Sequence, residues 1–312
     1  CRLCPHNCMI AEGSRGICGV RENQKGTLYA LTYGKPVATA VDPIEKKPLY
    51  HFLPGTQSYS IACVGCNMKC SFCQNSDISQ MPKEGRIIGT NLAPEEVVTE
   101  AIQNSCQSIS YTYTEPTVFF EYCYDIARIA RQKRLKNVFV TNGFITTEAI
   151  GAIAPYLDAA NIDLKSFTES YYKKLCGARL KPVLEAIREY HQKGVHIEIT
   201  TLVVPGHNDK ESELKKMAKF IASIDKKIPW HISRFYPRHK MQGTTPTPEA
   251  ILHKARQIGK EEGLCYVYLG NTEEDENTYC HNCEKLLIRR KGYHVIENNL
   301  DDNKCKYCNT PL

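Results

Sequence analysis

Four cysteines lie close together in the segment IACVGCNMKCSFCQNSDIS, residues 61–79. Three of them have the spacing Cys66-x3-Cys70-x2-Cys73, directly after a predicted strand. A structural zinc site needs four ligands in two knuckles, and this loop offers three at an odd spacing plus Cys63. A cubane iron–sulfur cluster held by three thiolates explains the spacing better, because one iron is then left open to bind another molecule. Cys63 lies outside the triad, and we expect it to be structural.

A second cysteine group lies in the last part of the sequence. Its members form two C-x2-C knuckles, Cys280, Cys283, Cys305 and Cys308. Such a pair of knuckles indicates one four-thiolate metal site, and the spacer LLIRRKGYHVIE predicts a hairpin that turns at Lys291 and Gly292. We interpret this group as a structural zinc ribbon or rubredoxin-like module that binds zinc or iron. Glu284 and Asn309 stand where such knuckles usually have glycine, and Asn tolerates a left-handed backbone better than Glu.

A third group lies at the beginning of the sequence, in CRLCPHNCMIAEGSRGICGVR. Its members are Cys1, Cys4, Cys8 and Cys18. Four thiols at this spacing predict one metal site, and the spacing fits either zinc or an auxiliary iron–sulfur cluster. His6 could replace one thiol. The N-terminal and C-terminal groups therefore predict two metal sites in addition to the central triad.

The remaining four cysteines are scattered along the chain. Cys106, Cys123, Cys176 and Cys265 lie singly in apolar surroundings, and we expect them to be buried small hydrophobic residues. A disulfide framework normally belongs to a short secreted domain that lacks a core, which does not fit 312 residues with 42% hydrophobic content. Clustered thiols therefore predict metal sites in a reducing cytoplasm.

The formal net charge is +6. Lys and Arg excess of this kind is typical of nucleic-acid binding, but thiolates bound to metal add negative charge and would leave a balance near about +1. No apolar run approaches the length of a membrane span. Neither nucleic acid nor a membrane is an expected partner.

Alternating strand and helix patterns indicate parallel βαβ units from about residue 58 onward. The predicted strands are 59–62, 108–114, 137–141, 159–163, 196–203 and 230–235. The predicted helices are 94–104, 117–133, 147–156, 182–192, 211–224 and 248–262. This pattern predicts an α/β fold, an open partial (β/α)6 barrel over residues 58–270. Residues 1–57 form an N-terminal Cys-rich extension, whose segment VDPIEKKPLYHFLPGT is predicted to run over a surface, and residues 271–312 form the C-terminal module.

The central triad resembles the signature of the radical SAM superfamily, C-x3-C-x-φ-C, with Phe72 as the aromatic residue before the last cysteine. In that superfamily Cys66, Cys70 and Cys73 would bind a [4Fe-4S] cluster whose free iron chelates S-adenosylmethionine (SAM). The resemblance implies reductive cleavage of SAM to a 5′-deoxyadenosyl radical and abstraction of a hydrogen atom from a substrate. The protein then positions and shields a reaction that the cofactor carries.

Several strand ends resemble SAM-binding segments of glycyl-radical-enzyme activating enzymes. The segment YTYTEPT stands in place of a Gly-Gly-Glu-Pro-like motif, which implies that Glu115 binds the SAM amino group. The segment NIDLKSF implies that Asp163 and Lys165 bind the ribose or the carboxylate, with Asn142 as a polar neighbour. We also predict that Phe72 and His231 contribute to the cofactor site. We assign no catalytic residue from the sequence.

Taken together, CRLCPHNC, DPIEKKPLYHF, YTEPT, WHISRFYP and the last knuckles resemble the AmmeMemoRadiSam-system radical SAM enzymes, which are relatives of pyruvate formate-lyase activating enzymes. The resemblance implies partners of the AMMECR type and the Memo type, and a low-potential electron donor of the flavodoxin or ferredoxin type. Two alternatives stay open. One is a glycyl-radical-enzyme activating enzyme, and the other is a non-enzymatic multi-metal module that docks nucleic acid.

Overall fold

An eight-stranded sheet forms the centre of the protein in the computed structural model, which describes residues 1–312. A small hairpin comes first, formed by β1 (Arg21–Gln24) and β2 (Thr27–Ala30). The strands of the main sheet follow in chain order: β3 (Ala38–Pro43), β4 (Gln57–Ala62), β5 (Ser108–Tyr111), β6 (Lys136–Thr141), β7 (Ala159–Asp163), β8 (His196–Val203), β9 (Trp230–Arg234) and β10 (Val267–Gly270). They also neighbour one another in this order; β3 is antiparallel to β4, and all other pairs are parallel.

Helices connect the parallel strands. They are α1 (Ser76–Ser79), α2 (Pro94–Gln103), α3 (Phe120–Gln132), α4 (Thr147–Ile153), α5 (Glu169–Tyr171), α6 (Leu180–Gln192), α7 (Glu211–Ile224) and α8 (Glu249–Glu261). Short 3-10 turns span Ile44–Lys46, Met81–Glu84, Pro116–Phe119, Ala154–Tyr156 and His239–Met241, and a π turn spans Tyr172–Cys176. None of these helices has both the length and the apolar character required to cross a membrane.

The apolar faces of the longer helices explain why they cover the sheet. In α2, Val97, Val98 and Ala101 are buried on one side, while the first turn begins with proline and carries Glu95 and Glu96. The cap of α4 is Thr146, whose hydroxyl accepts a hydrogen bond from the Ala149 amide. One long helix follows each of the strands β4 to β9, as the sequence predicts.

The predicted α/β class and mostly parallel sheet are confirmed, but the strand count is wrong. A seventh parallel strand, β10, pairs with β9, with Val267 opposite Trp230. The sequence patterns did not indicate this strand of four residues, which follows the last predicted helix. The sheet also continues through β3 across the predicted boundary at residue 58.

The charged segment after β3 lies inside the barrel, so its predicted surface position is wrong. Glu45 and Lys47 are each only 1% exposed, and His51 is 4% exposed. Buried partners bind polar groups of this segment: the side chain of Asn161 donates to the Pro48 carbonyl at 2.8 Å, and Glu198 accepts the backbone amide of His51 at 2.8 Å. We call residues 44–52 the barrel plug.

The C-terminal module contains β11 (Thr278–Tyr279), β12 (Leu286–Lys291), β13 (His294–Asn298), β14 (Leu300–Asp301) and β15 (Lys304–Cys305). The predicted hairpin turn is confirmed, because Lys291 pairs with His294 across it. The module packs on the barrel plug through Arg290, which is 1% exposed and donates to the Tyr50 carbonyl at 2.6 Å.

The scattered cysteines are mostly buried, as predicted. Cys106, Cys123 and Cys176 lie in the core, but Cys265 is exposed, so the prediction is wrong there. Cys265 lies between the end of α8 and β10, where the chain crosses the surface.

Candidate functional site

A cavity of about 510 Å³ opens at the carboxyl ends of the parallel strands. Cys66, Cys70 and Cys73 reach it from the loop after β4, and Glu115 reaches it from the segment after β5. Because parallel strands end at the same edge of a sheet, residues far apart in sequence meet there. The cavity lining also includes Phe72, Asn142, Asp163 and Lys165.

The backbone and neighbouring side chains hold the cysteine loop in place. The amides of Lys69 and Ser71 donate to carbonyls at the end of the π turn, Cys176 and Leu175, at 2.8 and 2.9 Å. Before the loop, Gly65 has φ +110°, and a Cβ there would lie 2.8 Å from Cγ1 of Val20. This backbone conformation and close approach require glycine.

Amide donors surround the sulfur of Cys66. It accepts the Met68 amide at 3.3 Å and the Asn142 side-chain amide at 3.5 Å, contacts that suit a thiolate. The three thiols of the triad line one cavity from a single loop, as three ligands of one cubane cluster would.

Lys165 and Asp163 form an ion pair on the cavity wall. The ammonium lies 2.7 Å from Asp163 Oδ2 and 5.9 Å from the centre of the Phe72 ring. Burial acts to lower the pKa of Lys165, but the carboxylate of Asp163 and the nearby thiols outweigh it and raise the pKa above its ordinary value. A permanent positive charge therefore faces the cysteine loop, where it can bind a carboxylate or a hydroxyl group.

Glu115 is 1% exposed, and donors surround its carboxylate. It accepts the amide and hydroxyl of Thr117 at 3.1 and 2.6 Å, the hydroxyl of Thr141 at 2.8 Å and the amide of Asn142 at 2.8 Å. Burial raises the pKa of Glu115, while these donors act in the opposite direction. Four donors occupy the acceptor sites that a carboxylate offers, so Glu115 orients the turn after β6 in this structure.

The radical SAM superfamily profile matches residues 60–221, about half of the chain, and this range includes the whole cysteine triad. The chain belongs to the radical SAM superfamily. Membership implies a [4Fe-4S] cluster and SAM, and the amide donors at the Cys66 sulfur suit a thiolate that binds the cluster.

Similar proteins and a solved structure extend the comparison. The chain is 46% identical to an uncharacterized protein of Methanocaldococcus jannaschii, over 99% of this chain and 93% of that protein. It is 22% identical to the pyruvate formate-lyase 1-activating enzyme of Escherichia coli, over 64% of this chain and 87% of that enzyme. The structure of a radical SAM methyltransferase from Sphaerobacter thermophilus matches with a TM-score of 0.54 and 17% identity, covering 70% of this chain and 67% of that one. This structural likeness supports the radical SAM fold.

Asn142 lies at the cavity but is engaged by other residues. Its side-chain amide nitrogen donates to Asn67 Oδ1 at 2.9 Å, and its side-chain oxygen Oδ1 accepts a hydrogen bond from the backbone amide of Phe144 at 2.9 Å. Asn67 in turn donates to the Phe144 carbonyl at 2.7 Å. The two asparagines therefore join the cysteine loop to the turn after β6. The feature of the sequence that corresponds to this link is Asn67, which directly follows Cys66.

His231 does not line the cavity that contains the cysteines. Its Nε2 lies 2.6 Å from Glu198 Oε2, and its ring packs against Tyr50 and Tyr268 in the barrel interior. The structure therefore separates His231 from the other predicted SAM-binding residues, and a role in binding the cofactor stays a prediction.

The C-terminal cysteines form a compact four-sulfur group. All four sulfur atoms lie within 4.8 Å of one another, and the distances are 3.6 Å from Cys280 to Cys308 and 3.7 Å from Cys283 to Cys305. A tetrahedron with zinc–sulfur bonds of about 2.3 Å has edges of about 3.8 Å, so the group fits one four-coordinate ion. Glu284 and Asn309 both have φ +59°, so the knuckles are left-handed without glycine.

The N-terminal cysteines surround a small apolar pocket. Its lining includes Cys1, Cys4, Cys8 and Cys18, together with His6 and Val118. Their sulfurs do not form the compact group found in the C-terminal module, so a metal there stays a prediction. His6 Nε2 lies 2.8 Å from the carbonyl oxygen of Asn67, which places this pocket beside the cysteine loop.

The cavity also contains two lysines that the sequence patterns did not single out. Lys46 and Lys47 reach it from the barrel plug, beside Tyr113 of the segment YTYTEPT in the turn after β5. The Asn75 amide donates to the Tyr113 carbonyl at 2.7 Å. In the sequence, the only sign of these lysines was the KK pair in a segment that was predicted to run over a surface. The structure buries this segment, so the pair belongs to the wall of the cavity.

Proposed function

We propose that this protein is an enzyme that reductively cleaves SAM and abstracts a hydrogen atom from a substrate bound in the same cavity. The observation that carries the proposal is that three thiols from one loop share a large cavity with the Lys165–Asp163 ion pair. When bound, the cluster and SAM supply the electron and the 5′-deoxyadenosyl radical. The protein supplies position, charge and shielding.

The residues of this chain have distinct tasks in the proposed enzyme. Cys66, Cys70 and Cys73 would hold the cluster and leave one iron free for SAM. Lys165, fixed by Asp163, would bind an anionic or hydroxyl group of SAM at the side of the cavity where it contacts Phe72.

Anaerobic reconstitution tests the proposal. The chain loaded with iron and sulfide, then given reductant and SAM, should release 5′-deoxyadenosine. A Cys70→Ala variant should release none, whereas Cys265→Ala, which changes an exposed cysteine outside the three clusters, should behave as the unchanged protein. Release by the Cys70→Ala variant would contradict the assigned cluster ligands.

We further propose that the enzyme works in the AmmeMemoRadiSam system, with AMMECR-type and Memo-type partners and a flavodoxin-type or ferredoxin-type electron donor. The motifs DPIEKKPLYHF and WHISRFYP support this membership, as does the presence of all three cysteine groups. Deuterium transfer into 5′-deoxyadenosine from a labelled partner protein or metabolite would identify the substrate. The proposed membership would be contradicted if neither purified partner transferred deuterium while an unrelated metabolite did.

An activating role is the second candidate function. The likeness to the pyruvate formate-lyase 1-activating enzyme of Escherichia coli favours it. It predicts a glycyl radical signal by electron paramagnetic resonance after incubation with a glycyl radical enzyme. Absence of that signal, together with turnover on another substrate, would exclude it.

For the two terminal cysteine groups we propose zinc in a ribbon at the C-terminal group, and zinc or an auxiliary iron–sulfur cluster at the N-terminal group. The compact sulfurs support a single ion at the former. Metal and sulfide analysis decides between these centres and a nucleic-acid-docking module, which would contain zinc alone and bind in a strongly salt-dependent way.

A further inference from the structure

Two lysines of the barrel plug share one carboxylate at the wall of the cavity. Lys46 Nζ lies 2.7 Å from Asp42 Oδ1, and Lys47 Nζ lies 2.7 Å from Asp42 Oδ2. Lys47 and Asp42 are 1% and 4% exposed, whereas the Lys46 side chain is 48% exposed. Two ammonium groups therefore face a single negative charge in a largely buried place.

Asp42 cannot compensate both charges fully, because its oxygens have further partners. Ser60 Oγ donates to it at 2.9 Å, and the Tyr113 hydroxyl also donates to it. Each ammonium group has three N–H donors. Lys46 has one acceptor in the structure, and Lys47 has Asp42 and a long contact of 3.4 Å to the Tyr113 hydroxyl. Donors on both lysines are therefore available to a ligand.

No other carboxylate of the cavity offers compensation. Glu115 already accepts four hydrogen bonds, and Asp163 pairs with Lys165. Burial acts to lower the pKa of Lys47, Asp42 opposes it, and the result is a pKa of about 8. Lys47 is thus mainly protonated at neutral pH, and it shares the single carboxylate of Asp42 with the positive charge of Lys46.

A strained tyrosine fixes this arrangement. Tyr113 has φ +61°, a left-handed conformation that a bulky residue adopts at a cost in free energy. Its carbonyl accepts from Asn75, and its ring lies 4.5 Å below Lys47 Nζ. The turn after β5 thereby joins the cysteine loop, through Asn75, to the two lysines.

We infer that Lys46 and Lys47 form an anion subsite that binds a carboxylate or phosphate group of the substrate. The inference rests on the proposed function, because it names the substrate class for the same cavity. Lys46, Ser233 and Asn271 line the cavity and also line a second groove next to it. Glu45, Glu274 and Glu276 also line this groove, so the anionic group of the substrate would stay at the two lysines on the cavity side.

Calorimetric titration of the reconstituted full chain tests the subsite. Inorganic phosphate and acetate are titrated separately, at constant ionic strength, with saturating SAM present. One saturable site is expected for at least one anion, and the tighter binder identifies the substrate group as phosphate or carboxylate. Lys46→Glu and Lys47→Met should each weaken binding at least about tenfold. Lys173→Met, which changes an exposed lysine outside the cavity, should leave it unchanged.

The half-exposed Lys46 keeps the test valid if the buried Lys47 variant fails to fold. Binding that neither lysine variant weakens, or no saturable binding of either anion, would overturn the subsite. Phosphate binding that is seen only when SAM is left out would also overturn it, because the lysines would then bind the cofactor. The titration needs no reductant, so loss of SAM cleavage leaves its result unaffected, and SAM cleavage without anion binding contradicts the subsite alone.

Discussion

The ammonium of Lys165 lies 2.7 Å from Asp163 Oδ2, on the cavity wall that faces the cysteine loop. Two residues of one strand end thus present a fixed positive charge to the place where the radical SAM superfamily binds its cofactor. The Phe72 ring, from the cysteine loop itself, lies 5.9 Å from the same ammonium. The pair and the loop therefore form one binding surface.

Replacing Lys165 by Met should weaken SAM binding. The change removes a buried donor and leaves the Asp163 carboxylate without its partner, so we expect the dissociation constant for SAM to rise about tenfold, or about 1.4 kcal/mol. Equilibrium binding to the reconstituted chain measures it. Lys173→Met is the matched control, and equal affinities for the two variants would show that Lys165 does not contact SAM.

Replacing Glu115 by Gln should lower the stability of the fold. The amide group of the new side chain would replace one acceptor oxygen and face donors of Thr117 or Asn142, so at least one buried donor would lose its partner. We expect the free energy of unfolding to fall by about 2 kcal/mol. Urea denaturation measures this change, and an unchanged midpoint would contradict the four-donor arrangement.

Loss of one C-terminal thiolate should release one metal ion and loosen the module. Cys305 is 1% exposed within the four-sulfur group, and metal binding supplies much of the folding energy of such small modules. Cys305→Ser should therefore lose about one zinc equivalent by elemental analysis and become sensitive to proteases between residues 280 and 312. Iron content should not change. Retention of all zinc would rule out this group as its ligands.

Acid should destabilise the barrel plug through His51. Burial lowers the pKa of His51 from 6.5 to about 3 in the folded protein, where Nε2 lies 2.7 Å from the Tyr268 hydroxyl. Below pH 6.5 the unfolded chain takes up a proton that the folded chain does not, so this contribution to stability is complete above pH 6.5 and decreases as the pH falls toward 3.

The slope should be about 1.4 kcal/mol per pH unit below the unfolded pKa. Urea denaturation between pH 4.5 and 7.5 measures it, and the same series on His51→Gln should show a slope smaller by about that amount. The pH series stops at 4.5, which is the ordinary pKa of Glu198. The folded protein also lowers the pKa of that carboxyl, so its titration would add to the slope below this pH. Equal slopes for the two proteins would contradict a neutral buried His51.

The sequence predicted the parts of the structure that depend on local patterns. The six strand–helix repeats, the hairpin turn at Lys291 and Gly292, and the position of the cysteine triad after β4 follow from periodicity, turn residues and ligand spacing. Because parallel strands end at one edge, the meeting of Glu115, Asp163 and Lys165 at one cavity was also predictable.

The barrel plug was not predictable from its own residues. Glu45, Lys47 and His51 resemble a solvated segment until their partners are known, and those partners lie far along the chain. Glu198 binds the backbone of His51 across 147 residues, and Arg290 binds Tyr50 across 240. No local pattern contains such pairs, so the two lysines of the proposed anion subsite were also missed.

Release of 5′-deoxyadenosine from SAM tests the proposed enzyme most directly. The reconstituted chain should release it under anaerobic conditions with reductant, and Cys265→Ala should do the same. Cys70→Ala should release none while it retains the zinc of the C-terminal module, which shows that the variant is folded. Equal release by the Cys70→Ala variant, or no release by the unchanged chain with its iron and sulfide fully loaded, would contradict the proposed radical SAM activity.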